Sequence, residues 1–272
     1  MIGIHIGNIT DDSIKKLDEL HEKHVDIVQI FVNSLSKNIE ELAKKFNKKL
    51  KEYSMKCVVH ISYTINCAKE WTHHSWWLNQ FIAEINIAEI CGAHYVVVHV
   101  GKKLDLTEPE ALNNMYMSLI YVHEKTAKSN VKILIETPAG QGTEMLTDVR
   151  SFAYFFTKIS KHSNKKIQNR FGICVDTCHI FVAGEDIRKS SKYFENFNDA
   201  IGLEHIKLIH LNDSKHDCGS KLDRHENIGE GYIGKIILTK LIKFFNKLEI
   251  PMVLETPKDN ILKDFELVSN IK

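Results

Sequence analysis

Six residues of this chain offer side chains that bind divalent cations, and each closes a short apolar run: His60, His99, Glu136, Asp176, His210 and Glu255. A single histidine or carboxylate at such a place is ordinarily a polar residue leaving the core. Six of them at equivalent places argue for side chains gathered at one site. Imidazoles and carboxylates, with no thiolate required, suit zinc or manganese in a hydrolytic site. Two shorter patterns extend the set. Asp176-Thr177-Cys178-His179 spaces an Asp and a His three apart, where a strand turns into a loop or helix. Asp223-Arg224-His225 spaces two ligands two apart, which sends both side chains to one side of an extended segment. Each of these could be a solvated loop when taken alone. Together, His179, Asp223 and His225 would complete the ligands of a further metal.

The elements that must position these groups follow from the same runs. Eight β-branched or apolar stretches recur at wide, fairly even intervals: Ile2–Ile6, Asp26–Phe31, Cys57–His60, Tyr95–His99, Val131–Glu136, Phe171–Asp176, Ile206–His210 and Pro251–Glu255. They are continuous rather than alternating, as in strands buried on both faces. Helical patterns lie between them. Ile14, Leu17 and His21 follow a cap at Thr10-Asp11-Asp12, and Trp77, Phe81, Ile85 and Ala88 precede a stop at Gly92. Residues 37–52, 108–129, 146–160, 233–247 and 259–270 fit further helices. Alternating strands and helices predict parallel βαβ units, and eight of them predict an α/β fold, a single (β/α)₈ TIM barrel with the metal site at the C-terminal strand ends. The alternative is a doubly wound open sheet. That fold more often carries a glycine-rich phosphate turn after its first strand, and HIGNITDD is not one.

A chain of 272 residues suits one such barrel, which typically needs about 250, so residues 1–272 are expected to form one domain. No apolar run is long enough to span a membrane, and MIGIHIG has neither the basic nor the apolar region of a signal peptide. The 6 cysteines form no CxxC pair, so reduced thiols in an intracellular protein are expected, with a disulfide or a cysteine-zinc site as the alternative; separately, a monomer is expected. The net charge is only +1, from 36 Lys+Arg against 35 Asp+Glu, which by itself argues against an extended surface for a polyanion.

Five segments taken in order resemble the endonuclease IV family of abasic-site endonucleases: HISYTIN (His60–Asn66), IETPAGQG (Ile135–Gly142), DTCHIFVAG (Asp176–Gly184), HLNDSK (His210–Lys215) and DRHENIGEGYIG (Asp223–Gly234). The resemblance runs from near Ile2 to Glu255. It implies a barrel binding three zinc ions, with manganese an alternative at some sites. His60, His99 and Glu136 would hold the first ion. Glu136, Asp176, His210 and Glu255 would hold the second, with Glu136 bridging. His179, Asp223 and His225 would hold the third. Glu136, Glu255 and His179 become the catalytic residues of that set. His5 is expected to pack behind the site, and Gly140, Gly142, Gly229 and Gly231 to permit tight turns near the metals.

The resemblance further implies a DNA repair activity on double-stranded DNA containing abasic sites. A hydroxide shared by two zincs would attack phosphorus 5′ to the lesion, leaving a 3′-hydroxyl and a 5′-deoxyribose phosphate, and blocked 3′ ends would also be trimmed. Three divalent ions less one hydroxide would raise the net charge to roughly +6, focused at the DNA-facing end. Lys102, Lys103, Lys215, Lys221 and Arg224 lie in expected loops at that end. Tyr63 and Thr64 sit where family members insert a tyrosine and a larger apolar residue into the gap left by a flipped nucleotide. The loop Asn33-Ser34-Leu35-Ser36-Lys37 lacks the arginine often found there. Two other functions compete: a metal-dependent sugar isomerase on the same barrel, and a damage-binding protein without chemistry.

Overall fold

The computed structural model describes residues 1–188 and 192–271. Its strands are β1 (Ile2–Asn8), β2 (Ile27–Phe31), β3 (Lys56–His60), β4 (Tyr95–His99), β5 (Lys132–Glu136), β6 (Phe171–Asp176), β7 (Ile206–His210), β8 (Asp213–Ser214), β9 (His225–Glu226) and β10 (Met252–Leu254). Eight of them close into a parallel barrel in the order β1-β10-β7-β6-β5-β4-β3-β2. β8 and β9 form a separate antiparallel ribbon in the connection between β7 and β10. The architecture is the (β/α)₈ barrel that the eight apolar runs predict, not the open sheet. The last strand is shorter than its run: it stops at Leu254, and Glu255 begins the following loop.

The helices are α1 (Asp11–Glu22), α2 (Ile39–Glu52), α3 (Trp76–Ile90), α4 (Glu108–Lys125), α5 (Val149–Ser160), α6 (Lys165–Arg170), α7 (Thr177–Ala183), α8 (Lys192–Ala200), α9 (Lys235–Lys247) and α10 (Ile261–Ser269). Local chemistry sets several starts. Thr10 caps α1, its hydroxyl accepting from the Ser13 amide at 3.1 Å. Asp148 caps α5 by accepting from the Arg150 and Ser151 amides. The pattern expected over 108–129 ends early, at Lys125. There Thr126 turns its hydroxyl back onto the Val122 carbonyl at 2.7 Å and receives the Arg170 guanidinium. No described helix is long and apolar enough to cross a membrane. None of the six cysteines is in a disulfide.

The core has two layers separated by the strands. Side chains that point outward pack under the helices, as Val28, Ile30, Val59, Val96, Ile133, Ile173 and Ile209 do. Inward side chains form a separate plug of Ile27, Val58, Val97, Leu134, Cys174, Leu208 and Val253. Strand side chains alternate with a period of two, so the next inward residue lies two positions on. Counting two on from the plug gives Gln29, His60, His99, Glu136, Asp176, His210 and Glu255. The apolar plug is therefore the floor on which the polar groups stand, and it closes the barrel beneath them to water.

Leu134 is fully buried in that plug, directly beneath Glu136. Leu134→Ala should lower unfolding stability by about 2–5 kcal/mol, as large-to-small core substitutions do. Equilibrium urea unfolding monitored by circular dichroism checks this. An unchanged midpoint would show that the plug does not support the barrel.

Candidate metal centre

Strand ends, the first turn of α7 and the connection that carries the ribbon bring nine histidine and carboxylate side chains around a single pit. Glu136 is its hub. Its Oε2 lies 3.3 Å from His60 Nε2 and 3.2 Å from His99 Nε2, while its Oε1 lies 2.6 Å from His210 Nδ1. His210 Nδ1 is also 3.3 Å from Glu255 Oε2 and 3.9 Å from Asp176 Oδ2. Asp223 places one oxygen 3.2 Å from His179 Nε2 and the other 3.3 Å from His225 Nε2. Glu136 thus faces two donor groups, and Asp223 joins a third.

These separations bear on what the pit can hold. A charge-assisted N–H···O bond settles at about 2.7–2.9 Å. Tetrahedral zinc, with bonds of about 2.0–2.1 Å, spaces neighbouring donor atoms about 3.3–3.4 Å apart. Five of the N···O pairs fall at 3.2–3.3 Å, near the second spacing. His60, His99 and Glu136 each offer a donor atom within 4.8 Å of one another, as do His60, His210 and Glu255, and Asp176, His179 and His225. The donor set fits divalent cations of the zinc and manganese class.

Ring orientation agrees with that role. A backbone carbonyl can only accept, so a ring nitrogen facing one carries a hydrogen, and in the neutral ring the other nitrogen then keeps its lone pair. His60 Nδ1 donates to the Ile61 carbonyl at 2.9 Å, His179 Nδ1 to Thr137 at 2.9 Å, and His225 Nδ1 to Glu255 at 3.2 Å. All three turn Nε2 into the pit. Burial pushes the His99 imidazole down to about 4, against the pull of Glu136, which keeps its ring neutral at pH 7. Burial likewise pushes the Asp176 carboxyl above its ordinary value, with His179 and His225 opposing. His225 moves the other way, up to about 9, because Asp176, Asp223 and Glu255 outweigh its burial. Carboxylates buried this closely need positive charge beside them.

Local folding explains the third donor group. Asp176 ends β6 and caps α7, its Oδ1 accepting from the His179 amide at 2.9 Å, which fixes the histidine one turn on while Oδ2 faces the pit. The ribbon pairs Ser214 with His225 and so carries His225 back to the barrel mouth. Its anchor is Asp213, which is fully buried and accepts from the amides of Ser214, Gly229, Gly231, Ile233 and Gly234 at 2.8–3.3 Å. Gly229 has φ +88°, the turn geometry expected of it. Gly231 does not have a positive φ. Its requirement is space, because a Cβ there would lie 2.4 Å from the Ser214 carbonyl oxygen and 2.6 Å from Asp213 Oδ1.

Sequence reasoning did not single out Asp213, Asn212 or Gln29, and all three are fully buried against the site. Asn212 Nδ2 donates to Asp176 Oδ2 at 2.7 Å, and its Oδ1 accepts from the Glu255 amide at 2.9 Å. The available signal was position: Asn212 and Asp213 directly follow the ligand-type residue that ends β7, and Gln29 occupies the inward place on β2.

The rim residues are accessible. Tyr63 is 68% exposed and lies edge-on to Phe31 and His99, with ring centroids 5.1 and 5.4 Å away. Thr64 is exposed, and its hydroxyl is 2.9 Å from that of Ser62. Arg224 is exposed and donates to the Asp223 carbonyl. Lys102 is paired with Glu144 at 3.5 Å, and in the Asn33–Lys37 loop Leu35 is 83% exposed. A cavity of about 250 Å³ opens here between Tyr63, His99, Lys102, Gln141 and Asp223. The larger cleft, about 620 Å³ against Phe194 and Phe244, contains none of the nine donors.

Comparison with known proteins places this geometry. A family model described as a xylose isomerase-like TIM barrel matches residues 17–270. A probable endonuclease 4 of Nitrosopumilus maritimus (strain SCM1) is 32% identical over 285 residues, covering 100% of this chain and 98% of that protein. An apurinic-apyrimidinic endonuclease of Caenorhabditis elegans is 37% identical over 193 residues, covering 69% of this chain and 46% of that protein. The crystal structure of endonuclease IV from Thermus thermophilus superposes with a TM-score of 0.79 at 21% identity, covering 98% of this chain and 97% of that one, a likeness of fold. By the extent of these matches, this chain belongs to the endonuclease IV family of xylose isomerase-like TIM barrels.

Proposed function

We propose that this protein is an intracellular, metal-dependent DNA repair endonuclease that hydrolyses the phosphodiester 5′ to abasic sites, leaving a 3′-hydroxyl and a 5′-deoxyribose phosphate, and that trims blocked 3′ ends. The observation that carries this reading is the set of nine donors in three groups around one pit, with Glu136 shared between two groups. Bound there, three divalent ions, mainly zinc, would supply Lewis acidity to the phosphate oxygens and to the attacking water. His60, His99 and Glu136 would hold one ion; Glu136, Asp176, His210 and Glu255 the second; His179, Asp223 and His225 the third. Glu136 keeps the first two groups in register through its two oxygens. The plug beneath excludes bulk water from the floor. Exposed Lys215, Lys221 and Arg224 are placed to meet DNA phosphates. Hydrolysis is favoured over β-elimination because Lys102, the amine lining the cavity, is paired with Glu144.

An oligonucleotide duplex with one abasic site tests the reading directly. The protein should nick it, lose the activity to a chelator, and leave a 3′ end that primes a polymerase. Borohydride should trap no adduct. Elemental analysis should return three metals per chain. A covalent adduct that accounts for turnover, or full activity with one metal or fewer, would overturn the assignment.

The group containing His179 is assigned to the leaving 3′ oxygen rather than to substrate affinity. His179→Ala should reduce the single-turnover rate by at least about tenfold, since one metal contributes several kcal/mol of charge stabilisation. Binding of abasic DNA should fall less. A retained rate with weakened affinity would reverse that assignment.

Tyr63 is proposed to stack in the gap left by the flipped nucleotide, because its ring stands exposed beside His99. Stacking of this kind contributes about 1–3 kcal/mol per base. Tyr63→Ala should therefore weaken binding to abasic duplex by about five- to a hundredfold and leave binding to intact duplex nearly unchanged. Equal losses on both duplexes, or a lowered melting midpoint with unchanged discrimination, would instead show that the ring only packs the loop.

A further inference from the structure

Seven inward positions stand on the apolar plug, and six carry groups of the kind that ligate metals. The seventh is Gln29 on β2, which is fully buried. Its Nε2 lies 2.6 Å from Glu255 Oε1 and 3.2 Å from His5 Nδ1, and its Oε1 lies 2.8 Å from His210 Nε2. The direction of this chain is forced. A carboxylate has no hydrogen to give, so the amide nitrogen must face Glu255 and the amide oxygen must face His210. An amide oxygen can only accept, so His210 Nε2 carries a hydrogen. His210 Nδ1 is then the atom turned to Glu136, Glu255 and Asp176, at 2.6, 3.3 and 3.9 Å.

This is the reverse of the other oriented rings. His60, His179 and His225 rest Nδ1 on backbone carbonyls and present Nε2. His210 presents Nδ1, and the group that fixes it is a side chain on another strand. The same amide holds a second member of that donor group, Glu255. Both Nε2 hydrogens and the Oε1 lone pair are used, so the amide cannot flip without breaking three contacts.

We infer that Gln29 is the positioning residue of the donor group formed by Glu136, Asp176, His210 and Glu255: it sets the His210 ring with Nδ1 toward the pit and holds Glu255 beside it. The inference rests on the metal-centre reading above, and it concerns one of the three groups. Loss of Gln29 loosens that group alone. The groups built on His60 with His99, and on His179 with His225, keep their own backbone anchors.

Two variants test it. Gln29→Leu removes donor and acceptor at similar size. Gln29→Glu still accepts from His210 but cannot donate to Glu255, and it sets two carboxylates together. Wild-type protein loaded with zinc and dialysed against metal-free buffer should keep three ions. Gln29→Leu should keep two; the affinity loss of about 10- to 100-fold expected when a partner of a metal ligand is removed should appear as faster release of the ion held by Glu136, Asp176, His210 and Glu255. Nitrogen-15 correlation spectra should show a slowly exchanging Nε2–H of His210 in the wild type, assigned by its loss in His210→Gln. That signal should vanish in Gln29→Leu and persist in Gln29→Glu, which should still release the ion held by Glu136, Asp176, His210 and Glu255 faster than wild type. If Gln29→Leu does not fold, Gln29→Glu decides by its release rate. A wild type that binds no zinc but shows the Nε2–H signal sinks the metal reading and leaves the ring assignment standing. Wild-type-like zinc release from a folded variant, or no Nε2–H signal in the wild type, overturns the role of Gln29.

Discussion

Four carboxylates, Glu136, Asp176, Asp223 and Glu255, converge with five imidazoles at the mouth of a barrel whose floor is apolar. Like charges packed this closely in a place shielded from water repel one another and resist ionisation. The structure answers with fixed geometry. Each carboxylate faces at least one ring nitrogen, and Glu136 faces three within 3.3 Å through its two oxygens. Repulsion among the carboxylates is then relieved by whatever positive charge sits between them. Several N···O spacings exceed the optimum of a hydrogen bond and approach the edge of a zinc tetrahedron, so the pit is shaped for cations rather than for protons alone.

Holding such a site open requires supports that do not themselves ligate. The plug fixes the strand ends by closing the barrel beneath them. Asn212 restrains Asp176 and Glu255 together, and Gln29 joins Glu255 to His210. Asp213 does for the backbone what these two do for side chains. Its carboxylate gathers five amides of the 214–234 connection, so the ribbon that brings His225 to the pit cannot drift. Five amide hydrogens meet its two oxygens, which offsets the cost of burying a polar group there.

The barrel and most of the pit could be read from the sequence because both follow from one periodic rule. Buried parallel strands give continuous apolar runs, and six of the eight runs end on a histidine or carboxylate at the mouth. The rule failed where periodicity is too short to register. α6 and α7 have six and seven residues, and β8 and β9 have two each. Glu255 was expected to end a strand but lies in the loop after β10, because β10 pairs with β7 only at Met252 and Val253. Gln29 and Asp213 were missed for a different reason. Each is a polar residue without an obvious metal role, and only its hydrogen-bond partners in the folded chain reveal what it orients. Gly231 was read as a turn residue, whereas its constraint is the nearness of Asp213, a contact across 18 residues of sequence.

The fold alone does not separate a nuclease from a sugar isomerase, since the matching family model is described by the isomerase-like barrel itself. What separates the readings is where the donors come from. His60, His99, Glu136, Asp176 and His210 end barrel strands, and Glu255 lies one residue past β10, so any barrel of this class could present a similar set. Asp223 and His225 come from the connection between β7 and β10, and they join His179 on a short helix capped by Asp176. That third group depends on Asp213, on the close approach at Gly231 and on the two-residue ribbon, all in the connection between β7 and α9 rather than on a barrel strand. The added connection faces the same cavity as the exposed ring of Tyr63. The third donor group is thus supplied by a connecting loop, while the strand ends supply the other two, so the feature that distinguishes the proposed nuclease from an isomerase on the same barrel lies in a loop added to a shared fold.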